Sequence, residues 1–165
     1  MLVLRSISTL PHPAGSAFVP TMGALHAGHV ALVRRAATFG LPLAVSIFVN
    51  PTQFGPGEDF DRYPRTLDAD LRVLAAEGVD YAFVPEVDTI YPDDPAPETL
   101  PLPGVATTPG LEDRIRPGHF EGVVQVVSRL FDLLQPRIAV FGEKDYQQVR
   151  VIESLVANQP DRWTD

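Results

Sequence analysis

The fold is decided by a stretch near the N-terminus in which a short apolar run leads straight into a segment rich in glycine and histidine. It reads Ala17-Phe18-Val19-Pro20-Thr21-Met22-Gly23-Ala24-Leu25-His26-Ala27-Gly28-His29. The apolar run, residues 17–20, lacks the alternation of a half-exposed strand, so it predicts a buried parallel strand. A helical pattern then extends from residue 29 to residue 39. The glycine-rich segment is therefore a strand-to-helix turn.

The same alternation of strand and helix continues along the chain. Further strands are predicted at residues 43–49, 81–84 and 138–141, and further helices at residues 67–75, 123–134 and 146–157. This order favours a doubly wound α/β fold with a parallel sheet. The proline-rich stretch 85–109 leaves room for one irregular edge strand near Thr99 to Val105. We expect one domain over residues 1–157, followed by a tail, residues 158–165, where a further strand would be expected.

Composition narrows the classes of function. The 165 residues carry a formal charge of -8, which argues against a nucleic-acid partner, because non-specific binding to a polyanion needs many Lys and Arg contacts. The chain has no cysteine, so it has neither disulfides nor a thiol nucleophile. No apolar run approaches the roughly 20 residues of a membrane span. We expect a cytoplasmic protein without a membrane partner.

The turn after the first strand is the first candidate site. Ligands of open α/β sheets bind where strands end, and a helix N-terminus offers unpaired N–H groups to phosphate. His26 and His29 are three residues apart, so their imidazoles can face the same phosphate oxygens, and the pattern suits a polyphosphate. The segment is neither G-x-G-x-x-G nor a P-loop. Two alternatives stay open: the histidines are capping or core residues, or they bind a metal ion with a third ligand.

Two further segments place polar groups at strand ends or helix starts. Residues 46–54 deliver Asn50, Thr52 and Gln53 after a buried strand, where neutral amides suit the hydroxyls and carboxylate of a small substrate. The alternative is that Asn50-Pro51 only begins a turn. Residues 116–120, Arg116-Pro117-Gly118-His119-Phe120, lie before the helix predicted at 123–134.

The last segment, residues 141–148, follows the last strand. It contains Lys144, the single Lys among thirteen Lys and Arg residues. An ammonium at that point can neutralise charge on a transferring phosphate. Gln148 is one turn into the next helix and can reach inward. The alternative for Glu143-Lys144-Asp145 is a solvated loop.

Taken together, residues 18–29, 46–54, 63–66, 116–120 and 141–148 closely resemble the pantothenate synthetase family over roughly residues 1–157. The resemblance implies the Rossmann-like nucleotidyltransferase fold of the His-x-Gly-His class. It implies ATP-dependent condensation of pantoate with β-alanine through a pantoyl-adenylate, with release of AMP and pyrophosphate. The family is usually a homodimer through this domain. Its C-terminal lid domain has no counterpart in this sequence.

The resemblance also implies roles for individual residues. His29, His26 and Lys144 are the expected catalytic residues, with Mg²⁺ on the ATP phosphates and Asp70 as its expected protein ligand. Pantoate and β-alanine are expected at Gln53 and Gln148, with Asn50, Tyr63 and His119 as further candidates. The residues expected to bind ATP are Met22, Gly23, Ala24, Leu25, His26, Ala27, Gly28, His29, Gly142, Glu143, Lys144 and Asp145.

Two other functions remain open at the level of sequence. One is another His-x-Gly-His enzyme that adenylates a different carboxylate. The other is a shortened, catalytically weak module that binds ATP or a dimer partner. Convergence of Gln53 and Gln148 on the nucleotide site favours pantoate, whereas ATP binding without release of pyrophosphate favours the module.

Overall fold

The computed structural model describes residues 1–6, 13–55, 60–93, 98–108, 110–116 and 118–163. Its centre is a five-stranded sheet in the order β1-β4-β3-β2-β5, and every pair of neighbouring strands is parallel. The strands are β1 (Leu2–Leu4), β2 (Ala17–Thr21), β3 (Leu43–Ile47), β4 (Tyr81–Phe83) and β5 (Ile138–Ala139). The doubly wound parallel sheet predicted from the sequence is confirmed.

Helices cover both faces of the sheet. The α-helices are α1 (Ala27–Ala37), α2 (Leu67–Ala76), α3 (Val87–Ile90), α4 (Glu112–Ile115), α5 (His119–Leu134), α6 (Tyr146–Ala157) and α7 (Pro160–Trp163). Short 3-10 turns span Pro51–Gln53, Gly104–Ala106 and Glu143–Asp145. Among the described residues, no helix combines the length and the apolar character needed to span a membrane.

Strand β2 shows why the apolar runs do not alternate. Phe18 packs into the core formed with α5 and α6, whereas Ala17 and Val19 pack into the core formed with α1 and α2. All three side chains are fully buried. A strand covered on both faces needs apolar residues at successive positions, which is the pattern that the sequence shows.

Several boundaries differ from the prediction. Helix α1 begins at Ala27, with His26 as its N-cap, and α5 begins at His119, four residues before the predicted start. Strand β5 ends at Ala139. The sequence analysis missed β1, a three-residue strand at the edge of the sheet whose first two side chains are exposed. The apolar run at this strand, Met1-Leu2-Val3-Leu4, is only four residues long, which is too short to mark a strand by itself.

The prediction of an irregular edge strand near Thr99 to Val105 is wrong. Residues 98–103 form no strand, and a 3-10 turn begins at Gly104. Pro101 and Pro103 have no N–H to donate to a neighbouring strand.

Within the predicted tail, the short helix α7 packs on α5. Arg162 donates from Nε and Nη2 to the two oxygens of Asp132 at 2.9 and 2.7 Å, and the Trp163 indole donates to the same carboxylate at 2.9 Å. Residues 164 and 165 lie outside the described residues.

Candidate active site at the carboxyl ends of the strands

The chain leaves β2 through a tight loop, residues 22–26, that we call the nucleotide loop because its residues are among those expected from the sequence to bind ATP. Gly23 and Ala24 both adopt positive φ, 83° and 51°. The Thr21 hydroxyl bridges the loop to β3 because it donates to the Ser46 carbonyl at 2.7 Å and accepts from the Gly23 N–H at 3.2 Å. The loop is therefore tied to the sheet at its first residues.

Asp70, on the first turn of α2, supports the middle of the nucleotide loop. Its carboxylate accepts the Ala24 N–H at 2.9 Å and the Leu25 N–H at 2.8 Å, and it also accepts the Thr66 hydroxyl at 3.2 Å. The side chain is buried, so these donors compensate its charge. This geometry does not support the prediction that Asp70 binds Mg²⁺, because both oxygens face the loop backbone. Among the described residues, no group of three His, Asp or Glu side chains is arranged to hold a metal ion.

The two histidines form a reciprocal cap at the start of α1. The His26 Nδ1 accepts the Gly28 N–H at 3.0 Å, and the His29 Nδ1 accepts the His26 N–H at 3.3 Å. A neutral imidazole that accepts at Nδ1 carries its proton on Nε2. The cap therefore leaves each ring with an Nε2–H donor that the cap does not use. The alternative interpretation as capping histidines is correct, and it is compatible with phosphate binding.

Gly28 is required by the same cap. A Cβ on this residue would lie 2.8 Å from His26 Cε1 and 3.0 Å from His26 Nδ1. The glycine of the His-Ala-Gly-His sequence thus makes room for the ring that caps the helix.

The electrostatic surroundings keep His29 neutral. Burial lowers the pKa of His29 below its ordinary 6.5, and the neighbouring His26 and the positive charge of Lys144 lower it further, while Asp70 acts in the opposite direction. At neutral pH the ring is therefore a neutral donor.

The backbone N–H groups of this turn, which the sequence analysis offered to phosphate, mostly have partners within the protein. The N–H groups of Gly23, Ala24, Leu25, His26 and Gly28 all donate to side chains of the site itself. Side chains have taken the donors that an anion would use. The donors left for a phosphate are chiefly the imidazole Nε2–H groups and the Lys144 ammonium.

The second segment presents Gln53 on a short turn that Asn50 caps. The Asn50 amide donates to the Gln53 Oε1 and to the Gly122 carbonyl, each at 3.0 Å, and its Oδ1 accepts from Thr52 and from the Tyr91 hydroxyl at 2.8 Å. Asn50 is only 1% exposed, so its side chain holds Gln53 from inside the protein and is not available to contact a substrate. Asn50-Pro51 begins a turn, as in the alternative interpretation, and this turn presents the Gln53 amide.

Helix α5 holds the same turn from the other side. A Cβ on Gly122 would lie 2.5 Å from the Thr52 carbonyl oxygen and 2.7 Å from the Gln53 Cα. Only glycine permits this approach of helix to turn. Arg116 donates to His119 Nε2 at 3.5 Å, which leaves the proton of His119 on Nδ1 for the Gln53 carbonyl at 3.2 Å. His119, also nearly buried, therefore supports Gln53. Pro117 lies outside the described residues.

Most of the predicted substrate residues meet in one cavity of about 430 Å³. Its lining includes the predicted residues Met22, Gln53, Tyr63, His119, Lys144, Asp145 and Gln148. The two glutamines thus converge beside the nucleotide loop. Asn50, Gly142, Glu143 and the two histidines of the cap are not part of its wall. The turn Glu143–Asp145 is exposed, as in the solvated-loop interpretation, although Lys144 and Asp145 border the cavity.

Sequence reasoning missed several residues that organise the cavity. Gln147 is buried, and its amide accepts the Glu112 N–H at 2.8 Å and donates to the Val105 carbonyl at 3.1 Å, which fixes the loop that leads into α4. Tyr91 fixes Asn50 in the same way. The role of Asp70 depends on contacts with Ala24 and Leu25 across more than 40 positions of sequence, which local patterns do not reveal.

A larger groove, of about 1370 Å³, lies elsewhere, between β5 and helices α5, α6 and α7. None of the predicted catalytic or binding residues lines it. Its lining includes charged side chains such as Asp132, Arg137 and Glu153, but the smaller cavity is the one that gathers the predicted residues, and it is therefore the candidate active site.

Comparisons with known proteins agree with this geometry. A family model described as Pantoate-beta-alanine ligase matches residues 4–160. The pantothenate synthetase of Acidothermus cellulolyticus is 56% identical over 142 residues, which are 86% of this chain and 46% of that protein. That of Thermobifida fusca is 53% identical over 145 residues, 85% of this chain and 48% of that protein. The chain thus spans about half the length of the curated relatives it matches.

Solved structures give the same result. A crystal structure of pantothenate synthetase from Thermus thermophilus matches with a TM-score of 0.86 and 46% identity, over 96% of this chain and 58% of that one. A pantoate-β-alanine ligase from Francisella tularensis, complexed with β-γ ATP and β-alanine, matches with a TM-score of 0.85 and 39% identity, over 98% of this chain and 64% of that one. This chain belongs to the pantoate-β-alanine ligase family.

Proposed function

We propose that this chain binds ATP and pantoate and forms pantoyl-adenylate, the first half of the ATP-dependent condensation of pantoate with β-alanine. The observation that carries the proposal is the convergence of Gln53, Gln148 and Lys144 on one cavity beside the nucleotide loop. Amides that suit a small hydroxy acid and a cation that suits phosphate meet at the end of β2. An adenylation reaction needs these two kinds of group side by side.

In the first half-reaction a carboxylate oxygen of pantoate attacks the α-phosphorus of ATP. The new O–P bond forms as the bond from the α-phosphorus to the bridging oxygen breaks, and pyrophosphate leaves with that electron pair. The protein mainly positions the reactants and neutralises charge, since little covalent chemistry falls to it. The Nε2–H groups of His26 and His29 and the ammonium of Lys144 are the donors for the phosphate oxygens.

Magnesium belongs to this site through the nucleotide. Mg²⁺ is held in such sites largely by phosphate oxygens and water, with one or two carboxylates at most, and when bound it neutralises charge on the triphosphate. Asp145 borders the cavity and Glu143 precedes it on an exposed turn, so these carboxylates, and not Asp70, are the candidates to assist.

Recognition of pantoate rests on the orientation of the Gln53 side-chain amide. Because its Oε1 accepts from Asn50, its Nε2 is turned toward the cavity side, where it lies 3.3 Å from the Met22 sulfur. An amide fixed in this orientation offers donors to a carboxylate or hydroxyl oxygen. Gln148 supplies a second amide across the cavity, so an acid that carries hydroxyls fits better than an apolar acid.

In the second half-reaction the β-alanine amine attacks the acyl carbon of the adenylate. The C–O bond to the phosphate breaks, AMP leaves with the oxygen that came from pantoate, and the amine loses a proton. The structure of the Francisella tularensis relative, which is complexed with β-γ ATP and β-alanine, supports β-alanine as the amine substrate. The homodimer and the cytoplasmic location remain predictions.

The test is release of pyrophosphate and AMP by the purified chain with ATP, Mg²⁺ and pantoate, with and without β-alanine. The proposal expects pyrophosphate release that depends on pantoate, and pantothenate once β-alanine is added. Replacement of pantoate by acetate, which lacks the hydroxyls, serves as the substrate control. ATP binding without pyrophosphate release in any mixture would instead support a module that binds nucleotide only.

A further inference from the structure

Two successive N–H groups of the nucleotide loop converge on one buried carboxylate. The Ala24 N–H lies 2.9 Å from Asp70 Oδ2 and the Leu25 N–H lies 2.8 Å from Asp70 Oδ1. Ala24 adopts a φ of 51°, a left-handed conformation that is uncommon for a residue other than glycine. Successive N–H groups in such a conformation form a concavity that binds anions. Here the anion comes from the protein itself.

The fit around this carboxylate is close. Asp70 is 3% exposed, and the Thr66 hydroxyl is its third donor, at 3.2 Å. A Cβ on Gly23 would lie 3.1 Å from Asp70 Oδ2 and 3.1 Å from Ile47 Cγ2. The glycine therefore lets the loop close over the carboxylate. The three donors compensate the buried charge of Asp70. Loss of its acceptor oxygens would leave the N–H groups of Ala24 and Leu25 without their hydrogen-bond acceptors.

We infer that Asp70 is a positioning residue for ATP: its carboxylate fills the anion concavity of the nucleotide loop and fixes the loop before the nucleotide arrives. This inference rests on the proposed function. The phosphates of ATP do not enter the concavity at Ala24 and Leu25. They lie against the histidine pair, which begins one residue further on and which the fixed loop holds in place. Asp70 itself does not touch the nucleotide.

The first arm of the test compares Asp70→Asn with Asp68→Asn. Asp68 is exposed on the same turn of α2, so its substitution removes the same charge without touching the loop. The Asp70→Asn amide keeps the shape but presents a donor to one of the two N–H groups. In Asp70→Asn, but not in Asp68→Asn, we expect the Kd for ATP, measured by calorimetry with Mg²⁺, to rise about tenfold or more. The Kd for pantoate is expected to stay unchanged in both variants.

The second arm needs no ligand. Amide hydrogen exchange in the wild-type chain without nucleotide should show protection at Ala24 and Leu25, and Asp70→Asn should lose it while the amides of β2 and β3 stay protected. Should Asp70→Asn fail to fold, Thr66→Val removes only the third donor, and a smaller rise in the Kd for ATP is expected.

Three results would overturn the inference. Rapid exchange at Ala24 and Leu25 in the wild-type chain would show that the loop is not fixed beforehand. An unchanged Kd for ATP in Asp70→Asn would show that fixing the loop does not serve the nucleotide. Equal losses for ATP and pantoate would indicate general damage to the fold. Failure of the wild-type chain to bind ATP would be recognised separately, as failure of the proposed function itself.

Discussion

The imidazoles of His26 and His29 lie against each other with ring centroids 4.1 Å apart, and each accepts a backbone N–H of the helix N-terminus through Nδ1. The arrangement combines two tasks in one pair of residues. Nδ1 caps α1, and the proton that is thereby placed on Nε2 is available to a phosphate. The sequence left capping and phosphate binding as alternatives, and the geometry accommodates both.

The two tasks of His29 can be separated by substitution. His29→Asn keeps an acceptor close to the position of Nδ1 but loses the Nε2–H, whereas His29→Gln keeps a donor near Nε2 and loses the cap. Loss of one preorganised donor costs about 10²–10³ in rate. We expect pyrophosphate release to fall by about that factor in His29→Asn with unfolding by urea little changed. His29→Gln should retain more activity. Equal activity in His29→Asn and the wild type would contradict the role of the donor.

The pH dependence of stability follows from the lowered pKa of His29. Burial and the charges of His26 and Lys144 disfavour the imidazolium in the folded chain. Between the folded pKa and the ordinary 6.5, the unfolded chain binds more protons than the folded chain. The stability from neutral His29 is therefore complete above pH 6.5 and is lost as the pH falls through 6.5 toward the folded pKa.

The check is urea unfolding at a series of pH values for the wild type and His29→Asn. As the pH falls below 6.5, the wild type should lose free energy of unfolding relative to His29→Asn, which has no imidazole to protonate at this position. A titration of the His29 ring by NMR should give a midpoint below 6.5. A midpoint above that value would contradict the account.

Gly28→Ala should separate function from stability. The added Cβ would meet the His26 ring at 2.8 Å, and the ring, at the end of a side chain, can move away. Alanine favours a helix over glycine by about 1 kcal/mol, which offsets the loss of the cap. We expect a melting temperature within a few degrees of the wild type, together with weaker ATP binding. Unchanged ATP affinity would show that the position of the His26 ring is unimportant.

Gly122→Ala should weaken the binding of pantoate and lower the stability of the fold. Its Cβ would meet the Thr52 carbonyl at 2.5 Å, and this atom is backbone, so the turn that carries Gln53 has to shift. Overpacking of this kind costs about 1–3 kcal/mol. We expect a lower free energy of unfolding and a weaker Kd for pantoate. Gly104→Ala is the control, because its nearest neighbour would be 3.9 Å away. Equal effects of the two substitutions would contradict the packing argument.

The docking of α7 is reported by the single tryptophan of the chain. Trp163 packs edge-on against Phe131 at 5.6 Å between ring centroids, and its indole donates to Asp132. Asp132→Asn should weaken the bonds to Arg162 and Trp163, cost about 1 kcal/mol of stability and shift the fluorescence emission to longer wavelength. Asp161→Asn, a neighbouring exposed acid, should leave the emission unchanged. An emission maximum at the same wavelength in Asp132→Asn and the wild type would show that α7 does not dock as described.

The sequence predicted most of the sheet because buried parallel strands appear as apolar runs, as β2 and β3 do. It missed β1, which is three residues long and half exposed. It indicated His26, His29, Gln53 and Gln148 as site candidates because they follow strand ends or open helices. It assigned Asp70 to a metal ion and Asn50 to a substrate, since a sequence shows that a polar group is present but not which way it faces. Both point into the protein and hold the residues that face the cavity.

The central claim is that the cavity forms an acyl-adenylate, and the measurement that tests it most directly follows oxygen. Pantoate labelled with ¹⁸O in its carboxylate is incubated with the chain, ATP, Mg²⁺ and β-alanine, and the AMP is examined by mass spectrometry. Attack of the carboxylate on the α-phosphorus followed by cleavage of the C–O bond predicts AMP that carries one ¹⁸O atom. Unlabelled AMP, or no AMP, would contradict the account.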